Sequence, residues 1–319
     1  MAVLSELERL PVSVFSVVMG LTGLALAVRS AGGDLGMGSG AGLAVTLVAS
    51  VVFVALSALY VIKLVRFRAA VAAEWSHPVK LSFFPTFSIS LILLAAAWLP
   101  HAPGLARYLI LAGSSLQLLL TVVVLSTWLY HTRFEIQHSN PAWFIPVVGN
   151  IVMPIPGVQL MSAETSWFFF SVGLVFWILL FALLFYRIIF HTPLAEKLMP
   201  TFFIFIAPPA VGFIAYLSLT GDLDPFARVL YYTALFLTLL LLVQLPRFSR
   251  IAFSLAWWAY SFPLAAITVA SSQMAAHTGL PLFRIIADGL LAFLLLVVGV
   301  LVVRTAAATR RHGLALEEG

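Results

Sequence analysis

The sequence predicts an all-α integral membrane protein with ten transmembrane helices, and two observations carry this prediction. First, 62% of the 319 residues are apolar and 9% are charged, whereas a soluble domain has about 25% charged residues. Second, the apolar residues form continuous runs of the roughly 20 residues that cross a bilayer as a helix, while barrel strands would alternate. Soluble globular proteins and disordered chains, which are poor in apolar residues, are both excluded.

Ten runs have the required length, with nine or eleven spans as alternatives. They lie at residues 12–28, 41–62, 81–99, 108–130, 142–161, 165–186, 200–220, 226–245, 251–275 and 285–303. The predicted organisation is an N-terminal segment (1–11), one transmembrane domain (12–303) and a C-terminal tail (304–319).

The basic residues predict the orientation of these spans. Of the 17 Lys and Arg residues, the side opposite the termini holds only Arg29, Arg107, Arg228 and Arg284. The positive-inside rule therefore places both termini in the cytoplasm, with the chain crossing the cell (inner) membrane many times. The net charge of +5 follows from this topology, so the expected surroundings are a lipid bilayer and no nucleic-acid partner is expected.

The longest loop on the predicted cytoplasmic side runs from residue 67 to residue 80. We expect a short helix at the membrane interface there, because its charged and aromatic residues suit lipid headgroups. These residues are Arg66, Arg68, Glu74 and Trp75.

Internal prolines distinguish the odd spans from the even ones. Spans three, five, seven and nine contain Pro85, Pro146, Pro208 and Pro263, spaced 61, 62 and 55 residues apart, while the even spans have none. Proline bends a helix because it removes one backbone hydrogen bond and collides with the preceding turn. Bent helices at a common period predict an inner ring around a central path, with the straight helices outside. The alternative is that proline is simply common in membrane helices.

The odd spans, as bounded above, contain no Lys, Arg, Asp, Glu or His. Ionisable residues at membrane depth usually mark proton relays and coupling sites, so a neutral path favours passive ion movement, and a basic cytoplasmic mouth favours anions. The chain has no cysteine, and its seven histidines form no metal-ligand motif. We expect no metal, no cofactor, no catalytic residue and no enzymatic activity.

Three stretches resemble a known family. The stretch NPAWFIPVVGNIV at 140–152 covers the start of the fifth span, WWAYSFPLAA at 257–266 lies in the ninth, and PVSVFSVVMG at 11–20 covers the start of the first. They are similar to helix signatures of the tellurite-resistance/dicarboxylate transporter family, which includes the bacterial TehA proteins and the plant slow anion channels. In the first stretch, Ser16 stands where many members have glycine.

The resemblance implies ten helices as five hairpins in a pseudo-fivefold ring, one pore per subunit and a homotrimer. It also implies passage of small monovalent anions such as nitrate, chloride and bromide. Some members are instead described as exporters, so a proton-coupled exporter or exchanger of sulfite, a C4-dicarboxylate or tellurite is the alternative.

In the family, the phenylalanine before the ninth-helix proline plugs the pore, and that position is Phe262. A phenyl group offers an ion no compensation for lost water, so it is a steric and hydrophobic gate; the alternative is ordinary packing. Asn150 either lines the path or satisfies a carbonyl freed by Pro146. The pore-lining candidates, mostly chosen from the proline repeat, are Phe15, Phe84, Ile145, Asn150, Ala207 and Ala266.

Overall fold

The computed structural model describes residues 6–33, 36–37, 40–130 and 134–313, and every element among them is helical. The ten long segments are α1 (Val12–Ala31), α2 (Gly40–Arg66), α3 (Lys80–Trp98), α4 (Pro103–Tyr130), α5 (Pro141–Leu160), α6 (Ala163–Phe190), α7 (Glu196–Thr220), α8 (Pro225–Leu242), α9 (Ser261–Thr278) and α10 (Pro281–Arg310). Residues 1–5, Arg133 and the tail beyond residue 313 lie outside the described residues.

Nine of these segments in the described chain, all except α9, are long and apolar enough to cross a membrane. The predicted ninth span exists as an 18-residue helix, but Ser271, Ser272, Gln273 and His277 lower its hydropathy. It packs against α1, α7 and α10. A helix covered by protein can carry polar residues that a lipid-facing helix cannot.

Burial separates the odd segments from the even ones. In the most apolar 18-residue stretch of α1, α3, α5 and α7, 72–83% of the residues are buried, against 11–39% in the even segments. Large apolar side chains such as Val51, Leu179 and Phe236 are exposed on the even segments. The even segments therefore carry the apolar outer surface of the protein.

The contacts follow the same alternation. Each odd segment packs against the even segment that follows it. In addition, α1 contacts α3 and α9, α5 contacts α3 and α7, and α7 contacts α9. Small residues permit close approach: a Cβ on Gly173 of α6 would lie 2.7 Å from the amide nitrogen of Ile151 in α5.

The prolines of the odd segments lie where a 3-10 stretch changes to α-helix. Pro85 immediately precedes the α-helix Thr86–Trp98, and Pro208 and Pro263 lie in the first turns of the α-helices that begin at Ala207 and Ser261. Proline is tolerated in a first turn because the N–H it lacks has no partner there. Pro146 lies in the single turn Phe144–Val148.

The irregular backbone of α5 is satisfied by side chains of α4. Gln117 Nε2 donates to the carbonyls of Ile145 and Pro146 at 3.4 and 3.2 Å, and Thr121 Oγ1 donates to the Pro146 carbonyl at 2.7 Å. Asn150 is fully buried and donates to Thr121 Oγ1 at 2.8 Å and to the Val147 carbonyl at 2.6 Å. In a membrane such carbonyls need partners from neighbouring helices.

The expected short helix after the second span is confirmed as Arg68–Ser76. Its Glu74 is buried rather than facing the headgroups. The Glu74 carboxylate pairs with Lys63 at 3.1 Å and accepts from the Tyr60 hydroxyl at 2.8 Å. Lys63 also donates to the Leu10 carbonyl at 2.7 Å, so this cluster joins the chain preceding α1, the end of α2 and the short helix.

Capping side chains begin two of the even segments. Ser162 Oγ accepts from the Thr165 amide at 3.1 Å. Asp224 accepts from the Ala227 amide at 2.8 Å and from the Tyr216 hydroxyl at 2.6 Å. These two hydrogen bonds to the charged form, the amide first, lower the pKa of Asp224.

The helix bundle has two ends, which we call the terminal side and the far side. The odd segments begin and the even segments end on the terminal side, where Gly313 lies beside the side chain of Glu6. The odd segments end on the far side.

Candidate functional site

Three cavities lie in series through the middle of the bundle, from the terminal side to the far side. We call them the vestibule, the neck and the far cavity. The vestibule and the neck share Ser16, Phe83 and Ala259, and the neck and the far cavity share Val211 and Phe262. Since the shared residues form common walls, the cavities make one interrupted path.

The vestibule has a volume of about 350 Å³ and is the most basic of the three. Lys80 and Lys197 line it, together with His77. The His77 Nδ1 accepts from the backbone amides of Val79 and Lys80 at 3.1 and 3.3 Å. Two lysines at the mouth of a low-dielectric path raise the local concentration of anions.

The neck has a volume of about 70 Å³ and is lined almost entirely by apolar side chains. Every lining residue belongs to an odd segment or to the 3-10 stretch that precedes α9. One of its few hydroxyls, that of Thr86, donates to the Phe83 carbonyl at 2.6 Å. The neck is large enough for water, since one molecule needs about 10–15 Å³, but a water molecule also needs several polar partners. Because the wall is apolar, the neck stays dry.

The far cavity has a volume of about 220 Å³, and all five odd segments contribute to its lining. It is more polar than the neck, because Arg29, Ser30, Ser218 and Gln273 lie in its wall. Among the described residues that line the three cavities, none is an aspartate or a glutamate.

Phe262 lies in the wall between the neck and the far cavity. It is the second residue of the α-helix of α9 and is half-buried. Its ring lies beside Gly23 of α1, where a Cβ would come within 3.4 Å of the Phe262 Cδ2 and 2.9 Å of the Ala265 Cβ. Gly23 therefore leaves the space in which the ring is accommodated.

Three further candidates line the cavities. Ile145 of α5 and Ala207 of α7 lie in the wall of the neck. Ala266 of α9 lies in the wall of the far cavity.

Three other candidates are not among the residues that line these three cavities, and their place along the path stays a prediction. Phe15 is buried among the rings of Phe53 and Phe87, with centroids 6.2 and 5.0 Å away. Phe84 packs against Trp75 at 4.7 Å. Asn150 faces α4, as described above.

The position of the 3-10 stretch relative to the proline explains why Phe83, and not Phe84, lines the neck. Pro85 precedes its α-helix, whereas Pro263 is the third residue of its own. The side chain of the residue before proline therefore points in a different direction around the helix axis in the two segments. In α3 the residue that lines the neck is Phe83.

Sequence reasoning does not single out Met19 or Val211, which also line the neck. Both lie one helical turn beyond a lining residue, since Met19 follows Ser16 by three and Val211 follows Ala207 by four. That spacing is the available signal, because residues three or four apart share one face of a helix.

Comparison with known proteins identifies close similarity to one family. The family model described as SLAC1, voltage-dependent anion channel, matches residues 9–306. The S-type anion channel SLAH3 of Arabidopsis thaliana is 31% identical over 255 residues, covering 78% of this chain and 40% of its own.

Two further relatives extend the comparison. The guard cell S-type anion channel SLAC1 of the same plant is 30% identical, covering 84% of this chain and 50% of its own. The tellurite resistance protein TehA homolog of Haemophilus influenzae is 28% identical, covering 73% of this chain and 71% of its own. The chain thus spans half or less of the length of these plant relatives.

Proposed function

The chain belongs to the SLAC1 family of voltage-dependent anion channels, and from this we propose that it is a channel for small monovalent anions such as nitrate, chloride and bromide. The observation that carries the proposal is the series of three cavities along the odd segments. The path is basic at the terminal side and apolar in the middle, and Phe262 lines both the neck and the far cavity.

The proposed architecture is ten transmembrane helices, arranged as five hairpins in a pseudo-fivefold ring with the odd segments inside. The pairwise contacts of the odd segments and their high burial support this arrangement. The proposed assembly is a homotrimer in the cell (inner) membrane, with the terminal side in the cytoplasm. The predominance of Lys and Arg on that side supports the orientation.

Anions are drawn into the vestibule by Lys80 and Lys197 and then meet the dry neck. Phe262 closes the neck, because its ring fills space and offers an ion no replacement for its hydration shell. Without an acidic or strongly basic group in the neck, an ion crosses in proportion to how cheaply it sheds water. Weakly hydrated nitrate, iodide and bromide therefore pass more readily than chloride, and divalent anions pass poorly.

The test is the anion current of the unaltered protein and of Phe262→Ala in planar bilayers. We expect a near-silent parent and a large, anion-selective conductance in the variant, because the alanine opens the wall between the neck and the far cavity. Phe236→Ala is the matched control, since Phe236 of α8 is 63% exposed on the outer surface. This control should remain as silent as the parent.

Permeability ratios provide the second part of the test. Nitrate and iodide ahead of chloride, with sulfate and malate last, is the expected order for Phe262→Ala. Sulfate or malate ahead of nitrate would contradict a neck that selects by dehydration. Silence of Phe262→Ala, combined with uphill accumulation of sulfite or malate in liposomes under a proton gradient, would instead favour the coupled exporter.

A further inference from the structure

The far cavity carries a single ionisable side chain among its described lining residues, that of Arg29. The charge lies at the far-side end of α1, beyond Phe262 as seen from the vestibule. Apolar side chains such as Leu26, Ile214 and Val269 form much of the remaining wall. Arg29 itself is exposed, so an anion arriving from the far side can reach its charge.

The guanidinium of Arg29 is held by one of its edges. Its Nη1 donates to the carbonyls of Ala96 and Ala97, at 3.2 and 3.3 Å, near the end of α3. An arginine has five N–H donors, and in the described part of the chain Nε and Nη2 make no hydrogen bond. Lys63 pairs with Glu74, whereas Arg29 makes no ion pair with a carboxylate of the described residues.

Gln273 provides an independent observation in the same cavity. Its side chain lines the far cavity, and its Oε1 is buried without a hydrogen-bond partner among the described residues. The two ends of a carboxamide differ little in shape and exchange places by a half turn, which brings two N–H donors to the same position. In that flipped orientation the Gln273 Nε2 can donate to a bound anion, which removes the cost of a buried polar atom without a partner.

We propose that Arg29 and the Gln273 carboxamide form a binding site for a small monovalent anion in the far cavity. The fork of free guanidinium donors suits a planar oxyanion such as nitrate, which it can bind through two parallel hydrogen bonds. The cavity, at about 220 Å³, holds such an ion with part of its water. The site rests on the proposed function, because it places an anion directly beyond the Phe262 gate.

The site gives the path a second anion-attracting region, on the side opposite Lys80 and Lys197. An anion that has crossed the neck, or one arriving from the far side, is held at Arg29. The half-saturating concentration of far-side anion therefore depends on Arg29, while that of terminal-side anion depends on the vestibule.

The first test measures binding without conduction. Nitrate raises the melting temperature of a protein that binds it when folded, and the rise increases with nitrate concentration. With ionic strength kept constant by gluconate, we expect Arg29→Gln to require about tenfold more nitrate than the parent for the same rise, because a hydrogen bond to a charged group is lost. Arg228→Gln is the control, since Arg228 is exposed on α8 at the far side and outside the cavity lining.

Gln273→Leu is the second variant and leaves the contacts of Arg29 with α3 unchanged. We expect it to weaken nitrate binding about threefold. It supplies the result if Arg29→Gln fails to fold. Nitrate dependence equal to that of the parent in every folded variant of these two residues would overturn the site, as would an equal loss in Arg228→Gln.

The second test adds conduction. In the Phe262→Ala background, Arg29→Gln should raise the half-saturating far-side nitrate about tenfold and leave the terminal-side value within twofold. If Phe262→Ala conducts and Arg29→Gln leaves both values unchanged, the site is wrong and the channel function stands. If Phe262→Ala is silent but nitrate stabilises the protein through Arg29, the site stands and the channel function is wrong.

Discussion

The buried ion pair between Lys63 and Glu74 gives a sharp prediction about stability. The two side chains are 1% and 8% exposed, and their charged atoms are 3.1 Å apart. Glu74→Gln keeps an acceptor for the Tyr60 hydroxyl but removes the negative charge. The Lys63 ammonium then remains buried, with the Leu10 carbonyl as its remaining strong acceptor.

An uncompensated buried charge costs several times more than a broken surface pair. We expect Glu74→Gln to lower the free energy of unfolding by about 3–5 kcal/mol. The double variant Lys63→Met with Glu74→Gln removes both charges and leaves the Leu10 carbonyl without its donor, which costs about 1–3 kcal/mol. The double variant should therefore be more stable than Glu74→Gln alone.

The assay is reversible unfolding in detergent, followed by tryptophan fluorescence, with all variants in one double-mutant cycle. Glu8→Gln is the control, because Glu8 is exposed at the terminal side. A loss below about 1 kcal/mol in Glu74→Gln, which is the range of exposed pairs, would refute the reasoning. A double variant less stable than Glu74→Gln would refute it as well.

Two further variants test the packing of the odd segments. Gly20→Ala should destabilise the protein by about 1–3 kcal/mol through overpacking, because the new Cβ would collide with the Ser261 Oγ and lie 2.9 Å from the Ser261 Cβ. Gly289→Ala has open space around it and should not destabilise the protein, so equal melting temperatures of the two variants would contradict the contact between α1 and α9. Gln117→Ala should cost about 1–3 kcal/mol because two buried α5 carbonyls lose a donor. Gln244→Ala is the control, because the Gln244 side chain donates only to the Leu240 carbonyl near the end of α8, in an exposed position. It should change stability by less than about 0.5 kcal/mol, and a similar loss in both variants would contradict the role of Gln117.

Composition and periodicity were sufficient for the helical character and for most span positions. Apolar runs of about 20 residues have few alternatives in a membrane, because every backbone group must be satisfied within the segment. The limit of that reasoning is α9, which is a helix at the expected place but carries Gln273 and His277. Neighbouring helices cover α9 and so compensate for its lower hydropathy. A rule that reads only the residues of the segment takes no account of those neighbours.

The proline repeat predicted that spans three, five, seven and nine differ from the others, and burial separates α3, α5 and α7, together with α1, from the even segments. It did not predict which side chain of each segment faces the path. That depends on where the 3-10 stretch ends. In α3 it ends at Phe83, two residues before Pro85, and before α9 it ends at Tyr260, three residues before Pro263. In α3 the residue that lines the neck is therefore Phe83, the neighbour of Phe84.

The chain itself determined a helical, membrane-spanning protein whose odd apolar runs lack ionisable residues and whose ninth run has a phenylalanine before its proline. These properties depend on residue type and spacing. Tertiary structure alone decided the partners of the buried polar groups. Glu74 lies in a loop that suits an interface, yet it pairs with Lys63 inside the protein. Arg29 counts in the sequence as one charge at a helix end, and it lines the far cavity because α3 holds its guanidinium there. Such placements depend on contacts between distant segments, which residue types and spacings within one segment do not specify.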